Sequence, residues 1–511
     1  MSRVRVVQAG KTREIPAKDG ETRLDVLRRN HVPVTAPCGG NGTCGKCRVA
    51  LRTERGETAV LACRTLVEGD CAVLIEAAEG GVICAEGAGG VPRADGGCRG
   101  LGAAVDLGTT TVAVRLFDLA DGTEIGSKSA WNAQAPYGGD VITRCQFCME
   151  RENGLDVLKA LARKQVLGLI EEICEETGRK PAEVTEIYLA GNTVMQHIFC
   201  GLSPAGIAVV PFRPESLFDH DEQIHMDDLA LRCAPCVAGY VGGDITAGLL
   251  ASGLLEKPGT ALFLDVGTNG EMALGGADGF LCCAVASGPA FEGAGISCGM
   301  ASTDGAICHV WWNGTAPELE VIGGGAPKGI CGSGLLDLLA MLLELGIVDE
   351  SGYLLPPEEA PGGFEAWLDE DEDGNGCFWL TDAVCFTAAD VRQLQLAKAA
   401  VAAGISVLMR ERRLDVEDID ALVLAGGFGS HMSAQSAAAI GMLPEALLAK
   451  ITCAGNSALT GASMALLSEE ARRKLLKIQR ACEYLELSGN GAFNELFPIH
   501  MTFDKEGSPW N

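Results

Sequence analysis

Ala261-Leu262-Phe263-Leu264-Asp265-Val266-Gly267-Thr268-Asn269-Gly270-Glu271 reads as a short apolar strand, an aspartate, one apolar residue, a Gly-Thr turn and the start of a second strand, Glu271–Leu274. The same design occurs earlier in the chain. Ala103-Ala104-Val105-Asp106 leads through Leu107-Gly108-Thr109-Thr110-Thr111 into a strand over Val112–Phe117, which ends at the turn Asp118–Gly122. Each copy puts a carboxylate, Asp106 or Asp265, at the root of a hairpin. The backbone amides and hydroxyls at such a bend can hold phosphate oxygens. The carboxylate can hold Mg2+ through water. One such hairpin is an ordinary turn, but an internal repeat carries architecture.

Other elements follow in a consistent order. Ala421-Leu422-Val423-Leu424-Ala425-Gly426-Gly427-Phe428-Gly429-Ser430 is a strand entering a Gly-rich turn, where the backbone can approach a nucleotide closely. Gly191–His197 and Gly455–Ala462 each lead into a helix, and these two are expected to be the connecting helices of two lobes. Gly461, Ala462 and Ser463 suit close packing across such a hinge. Gly242-Gly243-Asp244 ends a strand expected over Val237–Val241 and starts a helix at Ile245, with Asp244 read as its cap rather than as a phosphate-site residue. In this order the motifs resemble the acetate/sugar kinase–Hsp70–actin superfamily. That resemblance implies a duplicated RNase H-like α/β domain over 103–470, its second lobe opening near 260, followed by a C-terminal helix and tail over 471–511.

The first eighty or so residues read differently. Pro37-Cys38-Gly39-Gly40-Asn41-Gly42-Thr43-Cys44-Gly45-Lys46-Cys47 sets three thiols at C-x5-C-x2-C, and Cys63 follows in Leu61-Ala62-Cys63-Arg64. Four thiolates hold a [2Fe–2S] centre, and the plant-type pattern is a close trio with a distant fourth. That pattern starts C-x4-C, so this loop carries one residue more. Zinc usually takes two C-x2-C pairs or His partners, and only Cys44 and Cys47 make such a pair here. Cys71 competes with Cys63 for the fourth position. Residues 3–8 alternate like a strand, Thr12–Ile15 is its hairpin partner, Leu24–Asn30 has helical spacing, and short strands follow near Arg48–Leu51 and Ala72–Ile75. Motif and order together resemble the α+β β-grasp of plant-type ferredoxins, over residues 1–80. Residues 81–102 are Gly-rich and aperiodic, which reads as a linker.

Composition narrows the function further. Forty basic against 68 acidic residues give a net charge of −28, which argues against a nucleic-acid partner, since phosphate backbones need clustered Lys and Arg. No signal-type segment follows Met1 and no apolar run reaches membrane length, so a cytoplasmic protein with no membrane partner is expected. Twenty-two cysteines in a long chain without a signal segment point to reduced thiols and metal chemistry, and suit an anaerobic cell. The pairs Cys145/Cys148, Cys233/Cys236 and Cys282/Cys283 lack partners at metal spacing and read as core or surface thiols. His197 reads as a satisfied core histidine.

A one-electron carrier fused to an ATPase implies that ATP drives an electron uphill or gates its delivery. Over residues 3–80 and 103–467 the chain resembles the reductive activators of corrinoid proteins, whose members return Co(II) corrinoid to methyl-accepting Co(I) in anaerobic methyl transfer and O-demethylation. The resemblance implies cluster ligands Cys38, Cys44, Cys47 and Cys63. It implies Asp106 and Asp265 facing Mg–ATP, phosphate contacts from Gly108, Thr109, Thr110, Gly267, Thr268 and Asn269, nucleotide contacts from Gly426, Gly427 and Gly429, and Glu271 positioning water. The partners it implies are a Co(II) corrinoid protein and an upstream low-potential electron donor, with a homodimer in keeping with the family. Three rival readings differ in cheap observables. An activator of another low-potential enzyme, such as a 2-hydroxyacyl-CoA dehydratase, would differ in iron per chain. A small-molecule kinase would yield a phosphorylated product, and a redox-sensing ATP-binding module would not turn over.

Overall fold

The computed structural model describes residues 2–8, 11–18, 20–30, 32, 34, 40, 42, 47–53, 56–75, 94–95, 100–220, 224–226, 229–370, 374–504 and 510. Cys38 and Cys44 lie outside the described residues. At the N-terminus, β1 (Ser2–Gln8) and β2 (Lys11–Ala17) form the expected antiparallel hairpin. β3 (Arg48–Thr53) and β4 (Gly56–Leu61) form a second, and β5 (Cys71–Ile75) lies between them, parallel to β1 and antiparallel to β3. The order β2-β1-β5-β3-β4 is that of a β-grasp sheet. Alternation works where one face is buried: Val4 and Val6 point into the core while Arg3 and Arg5 face water. β4 escaped the sequence reading because its first four residues are all exposed, so no apolar alternation marks it. α1 (Arg23–Arg29) starts at Thr22, whose hydroxyl accepts the Asp25 amide at 3.2 Å, and lays Leu24 and Leu27 on the sheet.

The larger part contains the same sheet twice. In lobe one, β6 (Leu101–Leu107), β7 (Thr111–Asp118) and β8 (Glu124–Trp131) form an antiparallel meander. β9 (Val184–Gly191) lies parallel to β6, β11 (Leu229–Cys233) lies parallel to β9, and β10 (Ile224–Met226) closes the edge. In lobe two, β12 (Ala261–Val266), β13 (Gly270–Gly276) and β14 (Gly279–Val285) repeat the meander. The strand Ala421–Ala425 runs parallel to β12, and Ile451–Gly455 runs parallel to that strand. β6 and β12 are the central strands, and both faces of each are covered. Their residues are therefore apolar and buried, except for one partly exposed position at the end of each, Asp106 and Asp265.

Helices cover these sheets. α2 (Val141–Glu150) and α3 (Gly154–Thr177) pack on lobe one, with α4 (Thr193–Cys200) and the short α5 (Ala205–Ala208) beside them. α6 (Gly243–Ser252) lies between the lobes. α7 (Gly332–Glu344) and α8 (Ala388–Arg412) fill the core of lobe two. The helical turn α9 (Gly426–Gly429), α10 (Ala434–Ala439), α11 (Ser457–Leu467) and α12 (Glu469–Ala481) follow.

Four expectations need correction. The helix that packs on α11 is α6, not α4, which sits against α3. The contact is backbone-close: a Cβ at Gly461 would fall 2.1 Å from the Ala247 carbonyl oxygen, which explains the small residues there. Val237–Val241 is no strand but a turn closed by a bridge between Ala238 and Val241. The C-terminal helix expected within 471–511 begins at Glu469 and stops at Ala481, and Cys482–Tyr484 then pairs in parallel with β14. Finally, the stretch 81–102 is not featureless. The Asp95 carboxylate accepts from the Glu469 amide (2.6 Å) and the Ser468 hydroxyl (3.3 Å), so it caps α12, and β6 begins at Leu101.

Candidate nucleotide cleft and cluster loop

Both Asp-x-Gly-Thr hairpins open into one cleft of about 560 Å3 between the lobes. Asp106, Gly108, Thr109 and Thr110 line it from lobe one, and Asp265, Gly267, Thr268, Asn269 and Glu271 from lobe two. The two turns touch across it. Thr110 Oγ1 lies 3.3 Å from Thr268 Oγ1, and both hydroxyls donate to the Glu292 carboxylate, at 3.1 and 3.0 Å. Asn456 Nδ2 donates to Asp106 Oδ2 at 2.9 Å while its Oδ1 caps α11 through the Leu459 amide. Asn192 acts on the same turn: its Oδ1 caps α4, and its Nδ2 donates to Thr109 Oγ1 at 2.9 Å.

The first turn is held from behind. The Asn132 side chain donates to the Gly108 carbonyl (2.7 Å), Arg144 Nη2 to the Thr109 carbonyl (2.5 Å), and the Asn132 amide to the Thr110 carbonyl (2.8 Å). In a trans peptide the N–H points opposite to the carbonyl. With the Gly108 and Thr109 carbonyls drawn into the lobe, the amides of Thr109 and Thr110 face the cleft, the arrangement that phosphate oxygens require. Arg144 is wholly buried; it also donates to the Gly138 carbonyl (3.0 Å) and to Gln134 Oε1 (3.1 Å). In lobe two, Ser287 Oγ lies 3.3 Å from the carbonyl oxygens of Gly267 and Thr268.

Of the three glycines expected at the nucleotide, Gly426 and Gly427 line the cleft, whereas Gly429 is buried beside Val266 and does not line it. Gly426 has φ +81°, and a Cβ there would lie 2.3 Å from Asp265 Oδ1, so this position must be glycine for the aspartate to keep its place. A Cβ at Gly427 would meet nothing within 4 Å, which leaves its backbone open to the cleft. Phe428 stacks on Phe291, ring centroids 4.9 Å apart and 8° from parallel.

Five acids share this space, Asp106, Asp244, Asp265, Glu271 and Glu292. Burial pushes Asp106 up to about 6; burial, then the Asp106 charge, pushes Asp265 up to about 7. Asp244 and Glu271 are raised for the same reasons, burial first and neighbouring carboxylates second. Asp244 is thus a cleft residue, not the helix cap expected from sequence: Gly242 is the N-cap of α6, and the Asp244 carboxylate accepts the adjacent Ile245 amide. Among the described residues lining the cleft there is no Lys or Arg. Nor do three His, Cys, Asp or Glu side chains among the described residues converge closely enough to ligate one metal ion.

In the β-grasp domain, Cys47 Sγ and Cys63 Sγ lie 3.2 Å apart, Cys47 buried and Cys63 partly exposed. Gly40 (φ +101°) lies beside this pair: a Cβ there would lie 3.9 Å from Cys63 Cβ. Cys71 opens β5 opposite Val4. Of the three pairs read as core or surface thiols, Cys145, Cys233, Cys236, Cys282 and Cys283 are buried and Cys148 is partly exposed; Cys233 lies 3.5 Å from Cys200. His197 is fully buried and satisfied by the Thr193 carbonyl (2.7 Å) and the Ser216 amide (3.2 Å).

Comparison with known proteins agrees with this division. A 2Fe-2S iron-sulfur cluster binding domain matches residues 6–68, the RACo middle region matches 101–257, and the C-terminal domain of RACo, the ASKHA domain, matches 259–510. The corrinoid activation enzyme RamQ of Eubacterium limosum is 31% identical over 417 residues, covering 79% of this chain and 70% of that protein. A solved reductive activator for corrinoid, iron-sulfur protein superposes with a TM-score of 0.71 at 30% identity, covering 99% of this chain and 100% of the other. The chain belongs to the family of reductive activators of corrinoid proteins. A more distant relative is the Co(II) methylated amine-specific corrinoid protein reductase of Methanosarcina barkeri, 23% identical over 447 residues, 80% of this chain and 78% of that protein.

Several functional residues of this activator were not singled out by sequence. Asn192 and Asn456 had a signal, since Gly191-Asn192-Thr193 and Gly455-Asn456-Ser457 are themselves a repeat. Glu292 sits in a Gly-rich turn and carries no mark of its partners 182 and 24 residues away. Arg144 is one of many charged residues at helical spacing, and nothing in its neighbourhood announces burial.

Proposed function

We propose that this chain is an ATP-dependent reductase that passes an electron from a [2Fe–2S] cluster to a corrinoid protein, returning Co(II) to Co(I). The observation that carries this reading is the pairing, in one chain, of close thiols in a β-grasp domain with a cleft closed by two matched phosphate turns. The corrinoid acceptor is drawn from the relatives, which are named for activation or reduction of corrinoid proteins. When bound, the cluster supplies a one-electron carrier with a potential near roughly −400 mV. Cys47 and Cys63 would hold it together with Cys38 and Cys44.

In the cleft, the amides of Thr109 and Thr110, with Thr268 and Asn269, would receive the phosphates, and the open backbone at Gly427 the nucleoside. Without Lys or Arg among the described residues of its lining, a cleft with five acids repels a polyphosphate unless a divalent cation accompanies it. Asp106 and Asp265 would hold Mg2+ through water, and Glu271 would orient the attacking water. The same reading places the protein in the cytoplasm, supplies it from an upstream low-potential donor and is compatible with a homodimer. No helix among the described residues is long and apolar enough to cross a membrane.

A pH dependence follows. Carboxylates whose folded pKa lies above the ordinary 3.8 contribute stability that is present below about pH 4 and is lost as pH rises through about 6 and 7. Mg2+ offsets that loss only where the acids are ionised. The expected result is a larger rise in Tm on adding Mg2+ at pH 8 than at pH 5, read by calorimetry; an equal rise at both would count against these ligands.

The function itself is tested by reducing the anaerobically purified protein, adding a Co(II) corrinoid protein from the same organism, and recording the visible spectrum with and without Mg–ATP. Co(I) formed only with ATP is the expected result. A bleached cluster with no Co(I) from any corrinoid protein of that organism would overturn the acceptor.

A further inference from the structure

The segment 132–144, between β8 and the first turn of α2, touches both functional centres. On one side it holds the phosphate turn, through Asn132 on the Gly108 and Thr110 carbonyls and Arg144 on the Thr109 carbonyl. On the other it meets the β-grasp domain. Tyr137 Oη donates to the Arg28 carbonyl at 3.3 Å, and the Arg28 guanidinium lies over the Tyr137 ring, Cζ 5.8 Å from its centroid. Both side chains are sealed, at 8% exposure each. Arg28 in turn abuts the cysteine loop: a Cβ at Gly40 would lie 3.3 Å from Arg28 Nη1 and 3.9 Å from Cys63 Cβ. The two ends of the segment are joined to each other, because the Gly138 carbonyl and Gln134 Oε1 both accept from Arg144, and the Tyr137 amide donates to the Gln134 carbonyl at 2.8 Å.

We infer that the segment 132–144 couples the nucleotide turn to the cluster domain, with Arg144 and Tyr137 as its positioning residues. This rests on the functional reading above. The two-state element is the turn itself. Phosphate oxygens seated between the turns would take the hydroxyls that Thr110 and Thr268 give to Glu292, so the bound turn differs from this one. Its carbonyls are fixed to Asn132 and Arg144, so the segment moves with it. The segment is anchored on Arg28, so the helix beside the cysteine loop feels the change. A ligand biases a distant element only through such a differential contact.

The test uses amide hydrogen exchange of the intact cluster-loaded protein, with and without Mg2+ and a non-hydrolysable ATP analogue. In the wild type, exchange should change at 106–111 and also in the helix Arg23–Arg29, which does not line the cleft, there by about fivefold. In Tyr137→Ala the response at Arg23–Arg29 should vanish, while the response at 106–111 and the partner-free rate of phosphate release persist. If Tyr137→Ala fails to fold, Tyr137→Phe, which keeps the ring and loses the hydroxyl, should weaken the same response. A wild-type response at 106–111 with none at Arg23–Arg29 overturns the coupling, and so does a full response in the folded Tyr137 variant. No response at 106–111 in the wild type would overturn the nucleotide reading itself.

Discussion

Asp106→Ala lowers ATP hydrolysis by at least about 100-fold, the usual cost of deleting one preorganised electrostatic group, and leaves the visible spectrum of the cluster intact. The carboxylate stands at the end of a central strand, fixed by Asn456 at 2.9 Å, facing Asp265 across the cleft. Its position leaves it little else to do for the fold. Burial raises its pKa to about 6, so at neutral pH its charge opposes folding rather than supporting it. The variant should therefore fold at least as well as the parent at pH 7.5 despite the lost Asn456 contact. Phosphate release, measured beside a thermal melt, separates the two effects. An unchanged hydrolysis rate in a folded variant would remove Asp106 from the phosphate site.

Cys63→Ser should lose the visible cluster spectrum and all ATP-dependent Co(I) formation, while ATP hydrolysis without a partner persists. Cys71→Ser should keep all three. The two cysteines are rivals in the sequence, eight residues apart, and the difference between them is spatial. Cys63 Sγ lies 3.2 Å from Cys47 Sγ and close to Gly40, whereas Cys71 opens β5 beside Val4. Serine at 63 keeps the size of the side chain and removes the soft ligand that iron in a sulfide cluster prefers. Iron and sulfide content, read alongside absorbance, decides it. A full cluster in Cys63→Ser with loss in Cys71→Ser would reverse the assignment.

Much of this protein is local in origin and so legible in the chain. Each Asp-x-Gly-Thr hairpin is written within about ten residues, because a strand, a turn that only small residues allow and a second strand are all short-range events. Their repetition announces the duplicated fold before any contact is known. The cysteine loop is legible for the same reason: its glycines and thiols lie within eleven residues.

What the tertiary structure decided are the meetings between segments far apart in sequence. Asn456 reaches Asp106 across 350 residues, and Thr110 reaches Glu292 across 182. Asp244 looked like a cap from its neighbours, and became a cleft acid because α6 packs on α11 and carries its first turn between the two hairpins. Gly461 suggested a close helix contact, but which helix supplies the Ala247 carbonyl 2.1 Å away is fixed by the packing of two lobes. Arg144 is the clearest case. A charged residue on a helix reads as solvated until its acceptors, the carbonyls of Thr109 and Gly138, the Gln134 side chain and the Met195 sulfur, are brought around it, and only the folded chain brings them.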